Sequence, residues 1–152
     1  MKPKYNVAVW ATGGVGKYAI RTIADRPNLE LVGVWVHSAS KNGKDAGELA
    51  GIDPIGVAAT QDESEILGGD ADCVVYAAPA PPRMKEAIGD VCRILAAGKN
   101  IVTTAIPGLV YPRGSMPAKV TEAIRGAAEA GGSSLFSSGI EPGFGADLFP
   151  IG

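Results

Sequence analysis

Residues 5–24, YNVAVWATGGVGKYAIRTIA, constrain what this chain can fold into more than any other stretch. Val7, Ala8, Val9 and Trp10 form a short apolar run that suits a strand covered on both faces. Ala11-Thr12-Gly13-Gly14-Val15-Gly16 then predicts a tight turn. Val15, Ala19, Ile20 and Ile23 follow at helical spacing, as residues that can face a sheet. A strand, a glycine-rich turn and a helix in this order aim free backbone N–H groups and the positive end of a helix dipole at one spot. Such a spot suits a phosphate.

Two chemistries use this design. The dinucleotide fingerprint is G-x-G-x-x-G at the end of a first strand. The chain has A-x-G-x-x-G, with Ala11, Gly13 and Gly16 in the three places. Gly13 would let the backbone approach a pyrophosphate, and Gly16 would allow close packing of helix on strand. Ala11 departs from the pattern and is tolerable there if its φ stays negative. The rival is the mononucleotide P-loop, which needs Gly-Lys followed by Ser or Thr. Gly16-Lys17 is followed instead by Tyr18, where a small hydroxyl should hold a magnesium ion. The later apolar strand Cys73-Val74-Val75-Tyr76-Ala77 runs into Ala78-Pro79 and not into the acid that a metal's water shell requires. The dinucleotide reading therefore leads, with a tight ligand-free turn as the plainer alternative.

Composition narrows the partners. The chain has 152 residues, 46% apolar and 20% charged, which fits one soluble globular domain over 1–152. A net charge of −2 offers no electrostatic footprint for nucleic acid or a membrane surface. No apolar run is long enough to span a bilayer, and Met-Lys-Pro-Lys-Tyr enters a strand with no signal peptide, so a cytoplasmic location is expected. Cys73 and Cys92 fall in a strand and on a helix face and are read as buried thiols. One histidine and two scattered cysteines predict no metal site.

Strands are predicted over residues 7–10, 29–36, 55–58, 72–78, 100–104 and 134–138. Asp45 is placed to cap a short helix over 46–50, and Thr60-Gln61-Asp62 starts another. Met84, Ala87, Ile88, Val91, Cys92 and Leu95 hold one face of the clearest helix, with Gly98 as its stop. Ser115 is placed to cap a helix that buries Met116, Val120, Ala123, Ile124 and Ala127, closed by Gly131-Gly132. Strands alternating with helices predict an α/β fold, a doubly wound parallel sheet of the Rossmann type. Right-handed crossovers favour the order 3-2-1-4-5-6. Ligands then bind at the carboxyl ends of strands 1 and 4, where the order reverses. That edge would carry Thr12, Gly13, Gly14, Val15 and Gly16, the loop 37–44, Ala77, Ala78 and Pro79, Thr104, and Glu141.

The loop after strand 2 bears on the choice of nicotinamide cofactor. An acid about 20 residues past the fingerprint would bind the ribose diol of NAD. That position falls on Val36-His37-Ser38, with no acid before Asp45. His37, Ser38, Ser40, Lys41 and Lys44 instead offer donors to a 2′-phosphate, so NADP is preferred to NAD. The lysines could also line a solvated loop, and the imidazole could stack on adenine.

The motifs Val9-Trp10-Ala11-Thr12-Gly13-Gly14-Val15-Gly16, Val34-Trp35-Val36-His37-Ser38, Val102-Thr103-Thr104 and Gly139-Ile140-Glu141-Pro142-Gly143-Phe144 resemble the N-terminal domain of dihydrodipicolinate reductase-like proteins. The branch they resemble more closely is that of 2,4-diaminopentanoate dehydrogenases and native amine dehydrogenases. The resemblance implies a Rossmann domain followed by an α+β substrate and oligomerisation domain. It implies hydride transfer between NAD(P)H and an imine or unsaturated ring, and the function expected of a longer form is hydride transfer to or from an imine, amine or keto small molecule. It places Thr12 to Val15 on the pyrophosphate, and Ala77 to Pro79 with Thr103-Thr104 near the nicotinamide ribose and ring.

The match has departures. Amine dehydrogenases of this kind carry a glutamate in the loop after strand 5, whereas residues 105–111 read AIPGLVY. Glu141 and Tyr111 are the remaining candidates for acid–base work, though Glu141 could equally be a turn carboxylate. Such relatives would enter their second domain near residue 148, so that domain is expected to be absent from this shortened form. The expectation is a cofactor-binding domain that is inactive alone. The alternative is a non-catalytic dinucleotide-binding module, a sensor or an assembly subunit. Leu148 and Phe149, covered in a longer chain, could drive homo-oligomerisation.

Overall fold

The computed structural model describes residues 4–139. The chain divides into two compact units, Met1–Ala78 and Pro79–Gly152. Among the described residues, six strands form one sheet in the order β3-β2-β1-β4-β5-β6. The pairs β1–β2, β1–β4, β2–β3 and β5–β6 all run parallel. This is the doubly wound Rossmann order that the strand–helix alternation predicts.

The first unit holds β1 (Tyr5–Trp10), α1 (Gly14–Ala24), β2 (Leu29–Trp35), α2 (Ala46–Ala50), β3 (Ala59–Thr60), α3 (Glu63–Leu67) and β4 (Cys73–Tyr76). β1 lies between β2 and β4, and Val7, Ala8, Val9 and Trp10 are all buried. Alternation along the strands sends successive side chains to opposite faces. Val7 and Val9, with Leu31, Val34 and Val36, pack in one core with Ile20 and Ile23 of α1 and Ala46 and Ala50 of α2. Complete burial of Ile20 or Ile23 supplies about 1.5–3 kcal/mol each. On the other face, Trp10 stacks on Trp35 with ring centroids 4.6 Å apart and planes at 22°. The β1–β2 register slips between Val7 and Ala8, so Ala8 meets Gly33 and Val32 is left as a bulge. Gly33 makes room for α3, since a Cβ there would come within 2.8 Å of Ile66 Cδ1.

Two expectations need correction in this unit. The third strand lies at Ala59–Thr60, not 55–58. Gly56 at φ +81 interrupts the chain, and Ala58 is spent on an antiparallel bridge with Asp45. Val15 does not face the sheet but is 50% exposed, because Gly16 and Ile20 hold the inward positions of α1.

The second unit holds α4 (Met84–Ala96), β5 (Asn100–Thr103), α5 (Pro112–Ser115), α6 (Ala118–Gly131) and β6 (Leu135–Ser137). α4 buries Ala87, Val91, Ile94 and Leu95, while Met84 lies at the exposed margin of its face. Asp90 is also buried on α4 and pairs with Arg93 at 2.7 Å. The last turns of α4 and α6 come together. A Cβ on Gly131 would lie 1.9 Å from the Leu95 carbonyl oxygen, which also accepts a bond from Ser133 Oγ at 2.8 Å.

Ser115 does not cap α6 as expected. It closes α5, and α6 starts after Pro117. Met116 takes φ −121 and ψ 147, the extended geometry favoured before proline, and this separates the two helices. α6 buries Ile124 alone, and Ala123 is exposed. Gly132 closes it in the left-handed conformation at φ +61. No described helix is long and apolar enough to cross a membrane.

Candidate functional site

The strand order reverses between β1 and β4, both in the first unit. The carboxyl end of β1 is pinned on both sides. Ala11 N–H donates to the Trp35 carbonyl at 2.9 Å, and Ala77 N–H donates to the Trp10 carbonyl at 3.0 Å. The chain then turns at Ala11 with φ +83. The negative φ on which an easily tolerated alanine would depend is not met. Ala11 occupies the left-handed conformation that the first fingerprint glycine exists to supply, at a cost of roughly 1–2 kcal/mol for a residue with a Cβ.

The two later glycines serve different ends. A Cβ on Gly16 would lie 1.9 Å from the Ala11 carbonyl oxygen and 2.9 Å from its carbon, so α1 sits directly on the turn. A Cβ on Gly13 or Gly14 would meet nothing within 4 Å. Gly13 is the N-cap of α1, with no side chain bonded into the cap and no acid in the first turn. The start of this eleven-residue helix, the positive end of its dipole, is thus uncapped by any side chain and has no Cβ crowding at Gly13 or Gly14.

Lys41 reaches this turn from the loop after β2. Its Nζ donates to Thr12 Oγ1 at 3.0 Å and to the Thr12 carbonyl at 3.2 Å. A 3-10 turn at Ala39–Lys41 presents it, set by the Lys41 N–H on the Ser38 carbonyl at 3.0 Å. Thr12 itself is only 3% exposed. Ser38 and Ser40 share a hydrogen bond of 2.8 Å between their hydroxyls. His37 is exposed, its ring 6.2 Å from that of Trp35, and its carbonyl accepts from Gln61 Nε2 at 2.9 Å. The Lys44 side chain is exposed, while its carbonyl accepts from Ala59 N–H at 2.8 Å.

The nearest acid downstream of β2 serves the backbone. Asp45 accepts from the N–H groups of Gly47 at 2.7 Å, Ile55 at 3.0 Å and Gly56 at 2.8 Å. These bonds, that of Ile55 foremost, hold its carboxyl below the usual carboxylate range against an opposing effect of burial. Three of the acceptor positions of this carboxylate are thereby taken by the chain's own backbone.

After β4, Ala77 is half-buried and Ala78 buried. The other expected site residues lie in the second unit or beyond the described residues. Pro79 and Thr104 are exposed. Tyr111 is 68% exposed and its ring lies against Gly114, where a Cβ would approach ring carbon Cε1 to 2.4 Å. Glu141 lies outside the described residues. Burial pushes the Cys92 thiol up, with the charge of Arg93 opposing, so it is a poor source of thiolate at neutral pH. Cys73 and Cys92 are both free of disulfides.

Comparison with known proteins decides the family. The family model for the N-terminus of dihydrodipicolinate reductase matches residues 5–103. The chain belongs to that family. An amine dehydrogenase of Streptomyces virginiae is 40% identical over 147 residues, spanning 96% of this chain and 41% of that protein. The chain thus covers well under half the length of this curated relative. Among solved structures, the amine dehydrogenase of Mycobacterium smegmatis superposes with a TM-score of 0.81 at 23% identity, covering 92% of this chain and 40% of that one. GenD2 from gentamicin A biosynthesis, in complex with NAD, gives 0.67 at 21% identity over 91% of this chain and 35% of its own. Biliverdin reductase of Synechocystis sp. PCC 6803, in complex with biliverdin and NADP+, gives 0.64 at 20% over 90% and 38%. At these identities the structural matches speak for the fold. Together with the family they give the chain the Rossmann fold of a dihydrodipicolinate reductase N-terminal domain.

Proposed function

We infer that the chain binds NADP(H) at the β1–α1 turn and serves an oxidoreductase that moves hydride to or from an imine, amine or keto small molecule. The observation that carries the reading is the open space over Gly13 and Gly14, faced by the uncapped start of α1. Space there with no Cβ in the way fits a pyrophosphate. Gly13, Gly14, Val15 and Gly16 would hold it through backbone N–H groups. Lys41, with His37, Ser38 and Lys44, would face the adenosine ribose. Ala77 and Ala78 would lie toward the nicotinamide. When bound, the nicotinamide supplies the hydride chemistry.

NADP over NAD rests on charge. No carboxylate stands ready at the end of β2, because Asp45 is committed to three backbone N–H groups. A lysine ammonium does stand there, beside Thr12. Hydride transfer is proposed for the form that includes a substrate-holding domain, since binding and excluding water around the reacting carbon supply much of the rate. In that form Glu141 and Tyr111 are the proposed sources of acid–base chemistry. Cys73 and Cys92, neither of them in a disulfide, suit a reducing, cytoplasmic setting.

Calorimetric titration of NADPH and NADH at one ionic strength tests the reading. Tighter binding of NADPH supports it. Tighter binding of NADH would overturn the cofactor preference, and no binding of either at millimolar concentration would overturn the site. Turnover of NADPH with imines or ketones, or of NADP+ with amines, assayed on a form that includes a substrate-holding domain, separates an oxidoreductase from a binding module without catalysis.

A further inference from the structure

Thr12 lies two residues past the end of β1 and one ahead of the α1 cap, yet its side chain is withdrawn from the open space over the glycines. The residue is 3% exposed, and its hydroxyl accepts a hydrogen bond from Lys41 Nζ at 3.0 Å. Its carbonyl accepts a second from the same ammonium at 3.2 Å. An ammonium has three N–H donors. Two go to Thr12, which leaves one to address a ligand. A lysine stem normally loses much rotamer freedom when a ligand orders it. Here Thr12 has ordered the stem before any ligand arrives. The bond also ties the loop after β2 to the glycine-rich turn, the two segments that would contact opposite ends of an adenosine diphosphate.

We propose that Thr12 is a positioning residue for 2′-phosphate selectivity, acting through Lys41. This rests on the NADP(H) reading above. The hydroxyl sets where the ammonium sits, and the remaining N–H makes a charge-assisted bond to the 2′-phosphate, which NADH lacks. The threonine thereby discriminates between two cofactors without touching either with its side chain.

The test is the ratio of NADPH to NADH affinity, measured by calorimetry for the wild type, K41A, T12V, T12S and the T12V/K41A double variant. Valine matches threonine in shape and removes the acceptor, and serine retains it. K41A is expected to lower the ratio by about tenfold or more, the scale of a hydrogen bond to a charged group. T12V is expected to lower it by about threefold to tenfold, because the Thr12 carbonyl still holds part of the ammonium. T12S should keep the wild-type ratio, and the double variant should match K41A alone.

Three results would overturn the proposal. If K41A lowers the ratio while T12V leaves it intact, Lys41 acts without Thr12 and only the further inference fails. If the T12V effect adds in full to that of K41A, Thr12 acts on its own account. If K41A weakens both cofactors equally or neither, the 2′-phosphate reading itself fails. Thermal melting shows that each variant folds. T12A, which removes the same hydroxyl with less bulk, replaces T12V if that variant does not melt cooperatively.

Discussion

Replacing Gly16 and Gly14 of the β1–α1 turn with alanine, one at a time, separates the demands of the fold from those of a ligand. At Gly16 the added Cβ would approach the Ala11 carbonyl oxygen to 1.9 Å, where ordinary contact begins at 3.4 Å. The helix or the turn must retreat by about 1.5 Å to restore that contact. Both obstructing atoms belong to the backbone, and the turn is held on each side of β1, so no rotamer change relieves the clash. Overpacking of this kind costs about 1–3 kcal/mol, and a backbone obstacle puts it at the upper end. For a chain of this size 1 kcal/mol lowers Tm by about 2–4 °C, so G16A should melt about 6–12 °C below the wild type. At Gly14 nothing lies within 4 Å and the residue starts a helix. G14A should be neutral or raise stability by about 0.4–1 kcal/mol through a less flexible unfolded chain. Its dinucleotide affinity should nonetheless fall by about tenfold or more, because the methyl fills space reserved for the pyrophosphate. The assay is a thermal melt of each variant with a parallel NADPH titration. G16A melting with the wild type would refute the close approach of α1 to the turn. G14A binding NADPH with unchanged affinity would refute the placement of the pyrophosphate.

Further expectations follow from neighbouring residues. A11G should stabilise the chain by up to about 1 kcal/mol, because relief of a left-handed alanine outweighs the added freedom of the unfolded state; a lower Tm would contradict this. V15E places an acid in the first turn of α1, where Val15 is half-exposed, so stability should hold or rise slightly while NADPH affinity falls through repulsion. Asp45 has a lowered carboxyl pKa in the folded state, so its contribution is present above the unfolded value near pH 4 and is lost as pH falls through the folded value. Denaturant melts of D45N should accordingly show lower stability than the wild type at pH 7 and a shrinking difference between the two below about pH 4. G131A should destabilise by about 1–3 kcal/mol, because its Cβ would strike the Leu95 carbonyl, whereas G33A meets only the movable tip of Ile66 and should cost less.

Much of the architecture was legible because it rests on local patterns. The run Val7 to Trp10, the alternation of strands with helices and the glycine-rich turn were enough for the Rossmann order. Asp45 and Asp62 cap α2 and α3 through side-chain bonds to Gly47 and Ser64, as short polar residues ahead of apolar stretches do. Where the reading slipped, a tertiary or backbone constraint outweighed the pattern. Val15 has the spacing of a core residue, but the contact of Gly16 with the Ala11 carbonyl sets which side of α1 turns inward. Ser115 has the chemistry of a cap, but Pro117 moves the start of α6 past it. Two residues of pairing at Ala59–Thr60 leave almost no periodic signal for β3.

The site was readable in outline and hidden in its connections. Glycine spacing marks the turn, and the polar run after β2 marks a second loop on the same edge. Nothing in sequence order joins Thr12 to Lys41, which are 29 positions apart. Thr12 reads as a residue for the phosphate, whereas its hydroxyl is turned to the lysine. A left-handed Ala11 was invisible because the fingerprint position names a conformation that only coordinates reveal. The stack of Trp10 on Trp35 had a signal that went unused, since each tryptophan comes late in its strand and β1 and β2 lie side by side.

The central claim, a dinucleotide seated on the β1–α1 turn, is tested most directly by backbone amide NMR during an NADPH titration. The largest and saturable shifts are expected at Gly13, Gly14, Val15 and Gly16, with a second group in residues 37–44. Shifts confined to other parts of the chain, or none at millimolar NADPH, would contradict it.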